Sequence, residues 1–385
     1  MNQRTAGIVT VVGAAAWIGL IWLGVRLYET NPPTAGFDLE ILLRAGRDVA
    51  AGRSPYDPAM VAGTAPVAER LFYSYPPLVA QAMSLVAGVP TPVMLVAWDA
   101  AAVLGLAGVA RLIARRLAPG LSMAATFWPV VALVPLMFPL AIGLLFGNLD
   151  VFFPLLYGLM LLAVLRPAAP VDGIRGGAAS AVAGLTKLHP GSMGLWFLVR
   201  TPSSIAARRV VSVAIVTAGI MLGVSLLVGG VQPWLDYIAV VRAGSGADLA
   251  DPRNAGPASQ VALLIGSGGP ATESLARTLQ IPVTLVALTI TVIAAWRLRD
   301  PIESLAWAAA ASLVILPVTW YHYPSALIPF AAAALFRSPR PRRATVDSLV
   351  ITAAIVAAMA TLWLPLVYLA IGLILVATRV SRPTT

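Results

Sequence analysis

From residue 7 to residue 379 the chain is a succession of apolar runs joined by short links rich in arginine. Runs of this kind leave few ways to fold. About 20 apolar residues in a helix cross the ~30 Å hydrocarbon layer of a bilayer. Inside that layer the backbone must pair with itself, as helices or as a closed barrel. The runs here are continuous rather than alternating, so helices are expected. Composition agrees: 59% of the residues are hydrophobic and 11% charged, against roughly 25% charged in an average soluble domain. The fold class read from the sequence is an all-α polytopic integral membrane protein, with residues 1–385 as a single transmembrane domain.

The charge balance of +10 and the pI near 10.6 would ordinarily raise the question of nucleic acid. The arginines do not form one patch. They recur in the links, as Arg111, Arg115 and Arg116, then Arg166 and Arg175, then Arg200, Arg208 and Arg209, then Arg297 and Arg299. Arg337, Arg340, Arg342, Arg343, Arg379 and Arg382 continue the series. That is the positive-inside pattern of a plasma-membrane protein, and no nucleic acid partner is expected. The absence of cysteine excludes disulfide and thiolate chemistry. No A-x-A site follows the first apolar run, so residues 7–27 read as a retained helix rather than a signal peptide.

With the arginine links inside, the N-terminus is cytoplasmic and residues 28–75 form the first external loop. Spans are expected near 91–110, 121–142, 149–165, 210–229, 280–296, 303–319, 323–336, 346–361 and 363–379. The stretch 76–89 is short enough to be re-entrant or interfacial. Within the first loop, Leu39, Leu42, Leu43, Gly46, Val49 and Ala50 share one helical face and Arg44, Arg47 and Asp48 another. This predicts an amphipathic helix over 37–51 on the outer membrane surface, stopped by Gly52 and followed by the turn RSPYDP. Residues 230–258 read as a second external loop with a surface helix of its own.

Residues 184–192, GLTKLHPGS, hold the only lysine of the chain and one of its two histidines. Residues 174–186 and 190–199 on either side are each too short for an ordinary span, so a broken helix is expected with Lys187, His189 and Pro190 at the junction. Such a break is tolerated at membrane depth where protein or a wet cavity surrounds it.

On the expected topology Asp38, Tyr75, Asn148, Asp150, Lys187, His189 and His322 all reach the external side. Ionisable residues near a bilayer are expensive and point to function, yet each has a plainer reading. Asp38 can cap its helix and Lys187 can snorkel to headgroups. His189 can simply mark the helix break. His322, in WYHYP, can belong to an interfacial aromatic belt. Asn148 and Asp150 can be polar helix ends, and Tyr75, before two prolines, can be structural. The soluble-enzyme motifs G-x-x-x-x-G-K-[ST], H-E-x-x-H and G-x-S-x-G are absent. Two histidines make no metal site of the usual ligand number, and no D-x-D is present to hold the metal of a nucleotide-sugar.

The acidic first loop FDLEILLRAGRDVAAGRSPYDP, the entry FYSYPP, the polar break GNLD and the K-x-x-P junction in GLTKLHP occur in an order that resembles glycosyltransferase family 87 of the GT-C superfamily. Its members include actinobacterial mannosyltransferases that use polyprenyl-phosphate-mannose. The resemblance implies a GT-C-type helical bundle, a polyprenyl-phosphate-sugar donor entering from the outer leaflet, and a glycolipid or lipoglycan acceptor. It implies Asp38 as the base that activates the acceptor hydroxyl. The cations of the broken helix and its surroundings then suit the donor phosphate: Lys187 first, with His322 and His189 beside it. Asn148 and Tyr75 are expected to touch substrate. No cofactor or metal is expected, and the partners are donor, acceptor and membrane lipids around a monomer. Mannose is the expected sugar, in line with the Arg-over-Lys, Ala- and Gly-rich composition of a high-GC genome. Arabinofuranose from decaprenyl-phosphate-arabinofuranose is the alternative within the class, and a lipid or solute transporter the alternative outside it.

Overall fold

A computed structural model describes residues 3–31, 34–64, 72–165, 169–244 and 248–337. The spans expected at 346–361 and 363–379 lie outside the described residues. Among the described residues there are helices and no strands. The long α1 (Gln3–Thr30) is followed by α2 (Phe37–Ala50), α3 (Pro58–Val61) and α4 (Pro77–Ser84), and then by α5 (Thr91–Leu117). Next come α6 (Met123–Thr126), α7 (Trp128–Leu133), α8 (Phe138–Phe146), α9 (Phe153–Val164), α10 (Pro170–Thr186) and α11 (Gly191–Arg200). The last third contains α12 (Ile205–Gly229), α13 (Gln232–Gly244), α14 (Pro257–Ile265), α15 (Gly269–Arg297), α16 (Pro301–Ser312) and α17 (Ile328–Phe336).

Among the described residues four helices are long and apolar enough to cross a bilayer: Thr5–Thr30, α5, α12 and α15. Local chemistry sets their limits. In α5 a proline lies in the first turn and Arg115 and Arg116 in the last, the arrangement favoured by the orphan N–H groups at one end and the negative dipole end at the other. In α16 the Asp300 carboxylate accepts from Ile302 N–H at 2.8 Å and Glu303 N–H at 3.0 Å.

Two expected single spans are divided. The run 121–142 becomes α6, α7, a 3-10 turn at Val134–Leu136 and α8, with a bend of 74° between Met123–Leu136 and Phe138–Phe146. Pro129, Pro135 and Pro139 each remove a backbone donor there. The run 303–319 is helical only to Ser312. Beyond it the backbone is held by side chains: Gln280 donates to the carbonyls of Val314 (3.1 Å) and Ile315 (2.9 Å), and Asn254 donates to Pro317 O (3.0 Å) and accepts from Thr319 N–H (3.0 Å). Irregular backbone in a membrane protein needs such partners.

The helix of the first loop forms as its periodicity predicts, but its apolar face meets protein. Leu39, Leu42 and Leu43 are fully buried, against α4 and α5, while Arg44 and Arg47 are exposed. Gly46 sets the closeness of the α2–α4 contact: a Cβ there would lie 2.7 Å from the carbonyl carbon of Met83. In the middle of the bundle α10 is built largely of small residues, GIRGGAASAVAG, and packs between α9 and α12, as small side chains permit between membrane helices.

Candidate active site

The site is assembled where several short elements meet. Gly36, with φ of +70°, starts α2, and its N–H donates to Leu145 O at 2.8 Å, so the beginning of α2 is tied to the last turn of α8. Asp38 follows in the first turn. No side chain caps α2, and the capping role open to Asp38 is not the one it takes. Its Oδ2 instead accepts a hydrogen bond from Asn148 Nδ2 at 2.6 Å.

Asn148 is delivered by a sharp stop. Gly147 ends α8 with φ of +65°, a left-handed conformation that other residues adopt reluctantly. Asn148 then opens the 3-10 turn Leu149–Phe152, its Oδ1 accepting from Asp150 N–H at 2.8 Å. The Asn148 carbonyl is held in turn by the Trp98 indole N–H of α5 at 3.3 Å.

Asp150 is the most deeply placed charge, 1% exposed. Lys187 Nζ donates to both of its oxygens, at 2.8 and 2.7 Å, and His322 Nε2 lies 3.0 Å from Oδ2. Lys187 reaches it because α10 ends at Thr186 and Lys187 has extended backbone (φ −151°, ψ 134°). The helix cannot run straight on, since the position before Pro190 is biased away from helical conformation; α11 restarts at Gly191. The Lys187 side chain is 13% exposed. Its ammonium lies 4.0 Å from the Tyr323 ring centre and 6.0 Å from that of Tyr75, within reach of cation–π attraction.

Asp38, Asn148, Lys187, His322 and Tyr75 are thus neighbours. His189 is set one layer back: it is buried, stacked on the Tyr323 ring with centres 5.5 Å apart and planes 6° apart. Tyr75 is positioned through its backbone, whose carbonyl accepts from Tyr56 Oη at 2.9 Å. Two members were given no role by sequence reasoning, Asp150 although it was weighed among the external ionisable residues. Asp150 read as a polar helix end, although a lone lysine in apolar surroundings calls for a counter-charge; Tyr323 read as part of an aromatic belt and gave no separate signal.

The two carboxylates have different surroundings. Asp150 is taken up by Lys187 and His322. Asp38 has the Asn148 amide as its hydrogen-bond donor, and burial raises its carboxyl above the usual carboxylate range. His322, the Asn148 hydrogen bond and Lys187 pull it down without cancelling the rise, and Asp150 adds to it. A carboxylate so raised is a better proton acceptor than a solvated aspartate. Beside it stand cationic and N–H donors in a shielded place, where they stabilise developing negative charge more than they would in water. The arrangement can therefore deprotonate a hydroxyl and receive an anionic leaving group.

A family model described as glycosyltransferase family 87 matches residues 72–324 of the chain. No curated protein sequence matches it.

Proposed function

With the chain belonging to glycosyltransferase family 87 and so being a membrane glycosyltransferase, we propose that it transfers mannose from polyprenyl-phosphate-mannose to a glycolipid or lipoglycan acceptor of phosphatidylinositol mannoside or lipomannan type. The reaction is an inverting single displacement. The acceptor oxygen attacks the anomeric carbon, the bond from that carbon to the phosphate oxygen breaks, and Asp38 takes the proton of the acceptor hydroxyl. Polyprenyl phosphate leaves with one more negative charge than it carried as a diester.

Lys187 and His322 meet the phosphate, Lys187 as a compact point charge. Asn148 orients Asp38 and borders the sugar, Tyr75 forms an aromatic wall beside Lys187, and His189 acts through Tyr323. The reading calls for no metal, because Lys187 and His322 serve the departing phosphate. The observation that carries this reading is the Asn148-held Asp38 carboxylate next to the buried Lys187–Asp150–His322 cluster.

The working arrangement is a monomer in the bacterial plasma membrane with the N-terminus inside and the site at the external face. Its support is the polarity of the helices: α10 places Lys187 at one end and Asp172, paired with Arg116 at 2.5 Å, at the other.

The test is transfer of labelled sugar by purified protein in nanodiscs, from polyprenyl-phosphate-mannose and from decaprenyl-phosphate-arabinofuranose, over membrane lipid extract. Mannosylated lipid is expected, in the presence of EDTA as in its absence, with Asp38→Asn lowering kcat by about 10² or more. Transfer from the arabinofuranose donor alone would replace the sugar. An active Asp38→Asn enzyme would remove Asp38 as the base.

A further inference from the structure

Asp150 is the one member of the cluster without a part in the chemistry above, and it is the most buried. A carboxylate beside a phosphate-binding lysine is at first sight misplaced, since it repels the ligand and neutralises the cation. Three features argue that its place is functional. One carboxylate faces two groups: Lys187 donates to both of its oxygens, and His322 Nε2 lies 3.0 Å from Oδ2. It thereby fixes the distance between two donors that would otherwise repel whenever both are charged. The same short turn also holds the base: Asn148 donates to Asp38 through Nδ2 and accepts the Asp150 N–H through Oδ1. The span from base to cations is therefore set by residues 148–150. Finally, Lys187 and Asp150 together carry no net charge, so the pair attracts a phosphate anion less than Lys187 alone would, and a carboxylate placed there serves something other than phosphate affinity.

We infer that Asp150 is a positioning residue for transfer: it registers Lys187 and His322 against the Asn148-held Asp38, at the cost of weaker attraction for the donor phosphate. The inference rests on the proposed reading of Lys187 and His322 as phosphate contacts.

The position distinguishes this role from mere packing by the sign of an effect on binding. Asp150→Asn keeps the shape and removes the charge, leaving Lys187 uncompensated. Binding of undecaprenyl phosphate to the protein in nanodiscs is expected to tighten about 10-fold, while kcat falls at least 10-fold per folded molecule, with donor KM lowered or unchanged. Asp150→Glu keeps the charge and moves it by one methylene; binding is expected to stay within about 3-fold of the original protein while kcat falls. A packing role would instead weaken binding and lower kcat together in Asp150→Asn, and that result overturns the inference, as does an Asp150→Asn protein with unchanged binding and kcat. Should Asp150→Asn not fold, Asp150→Glu decides the matter, and an unchanged kcat overturns it. If the original protein binds undecaprenyl phosphate yet transfers no sugar from either donor, the mannosyl reading fails by itself; if it transfers and the Asp150 variants behave as packing mutants, only the positioning role fails.

Discussion

At the scale of single residues the proposed reaction depends on a carboxylate kept ready to accept a proton without being lost to a permanent ion pair. Asp38 meets that condition because its hydrogen-bond donor is an amide, Asn148 Nδ2 at 2.6 Å, while burial lifts its carboxyl above the usual range. The sign of the pH dependence follows. As the proposed base Asp38 works ionised, so kcat/KM is expected to fall as pH drops through the Asp38 pKa in the free enzyme, with the acid limb at higher pH than for a solvated aspartate. The Asn148 hydrogen bond favours the ionised form and lowers that pKa. Asn148→Ala is therefore expected to move the acid limb upward, by about one pH unit for a hydrogen bond to a charged group worth ~1.5 kcal/mol. A kcat/KM profile of the variant between pH 4 and 9 checks it; an acid limb that stays in place or moves down would show that Asn148 does not tune Asp38. Sequence reading reached Asp38 and Lys187 as isolated signals. It named Asn148 and Asp150 as well but did not reach the pairings, because the Lys187–Asp150 contact joins positions 37 apart and Asn148–Asp38 positions 110 apart. Local spacing carries no trace of such pairs, and the capping role that spacing did suggest for Asp38 gave way to the long-range bond.

At the scale of elements, what the sequence revealed was where helices stop. The K-x-x-P junction reads correctly as a break, since a proline one turn on forces it, and the extended Lys187 between α10 and α11 is the result. The first-loop helix is equally legible from its 3.6-residue period. Its neighbour was not: period tells which face is apolar, not whether lipid or protein covers it. The tie between α2 and α8 is a case in point. Gly147 turns the chain in the left-handed conformation, and a Cβ on it would lie 2.6 Å from Leu39 Cβ and 3.0 Å from Leu95 Cδ1. Gly147→Ala combines a strained φ, costing about 1 kcal/mol, with overpacking of about 1–3 kcal/mol. The expected loss is about 2–4 kcal/mol of stability, measured by thermal unfolding in nanodiscs. Leu39 and Asp38 are adjacent in α2, so relief of the clash displaces the base, and transfer per folded molecule is expected to fall as well. A variant with unchanged stability and full activity would show that the α2–α8 contact does not position Asp38.

At the scale of the whole molecule several helices share one polarity, with the site at one end and arginine at the other: α5 runs from Thr91, bonded to Glu40 of α2 at 2.5 Å, to Arg115 and Arg116. Likewise α11 runs from beside His189 to Arg200, and the segment after His322 continues through α17 to Arg337, which pairs with Asp300 at the start of α16. At 1.5 Å per residue the 27 residues of α5 separate its ends by about 40 Å, enough to cross a bilayer. This polarity was legible from the arginine links alone, because insertion reads charge in short loops. The number of crossings was less legible, since prolines divide the run 121–142 and side-chain hydrogen bonds hold the backbone after Ser312 out of helical form. The arginine end is expected in the cytoplasm, and the site outside. The absence of cysteine allows a direct test with single substitutions at exposed positions. Thr64→Cys lies in the loop between α3 and α4, on the side expected outside, and Ser203→Cys lies between α11 and α12, on the arginine side. A membrane-impermeant maleimide is expected to label Thr64→Cys in intact cells stripped of their wall, and Ser203→Cys only after permeabilisation. The opposite pattern would place the site in the cytoplasm, where a donor delivered at the outer leaflet could not reach Lys187, and would remove the external reading of the reaction.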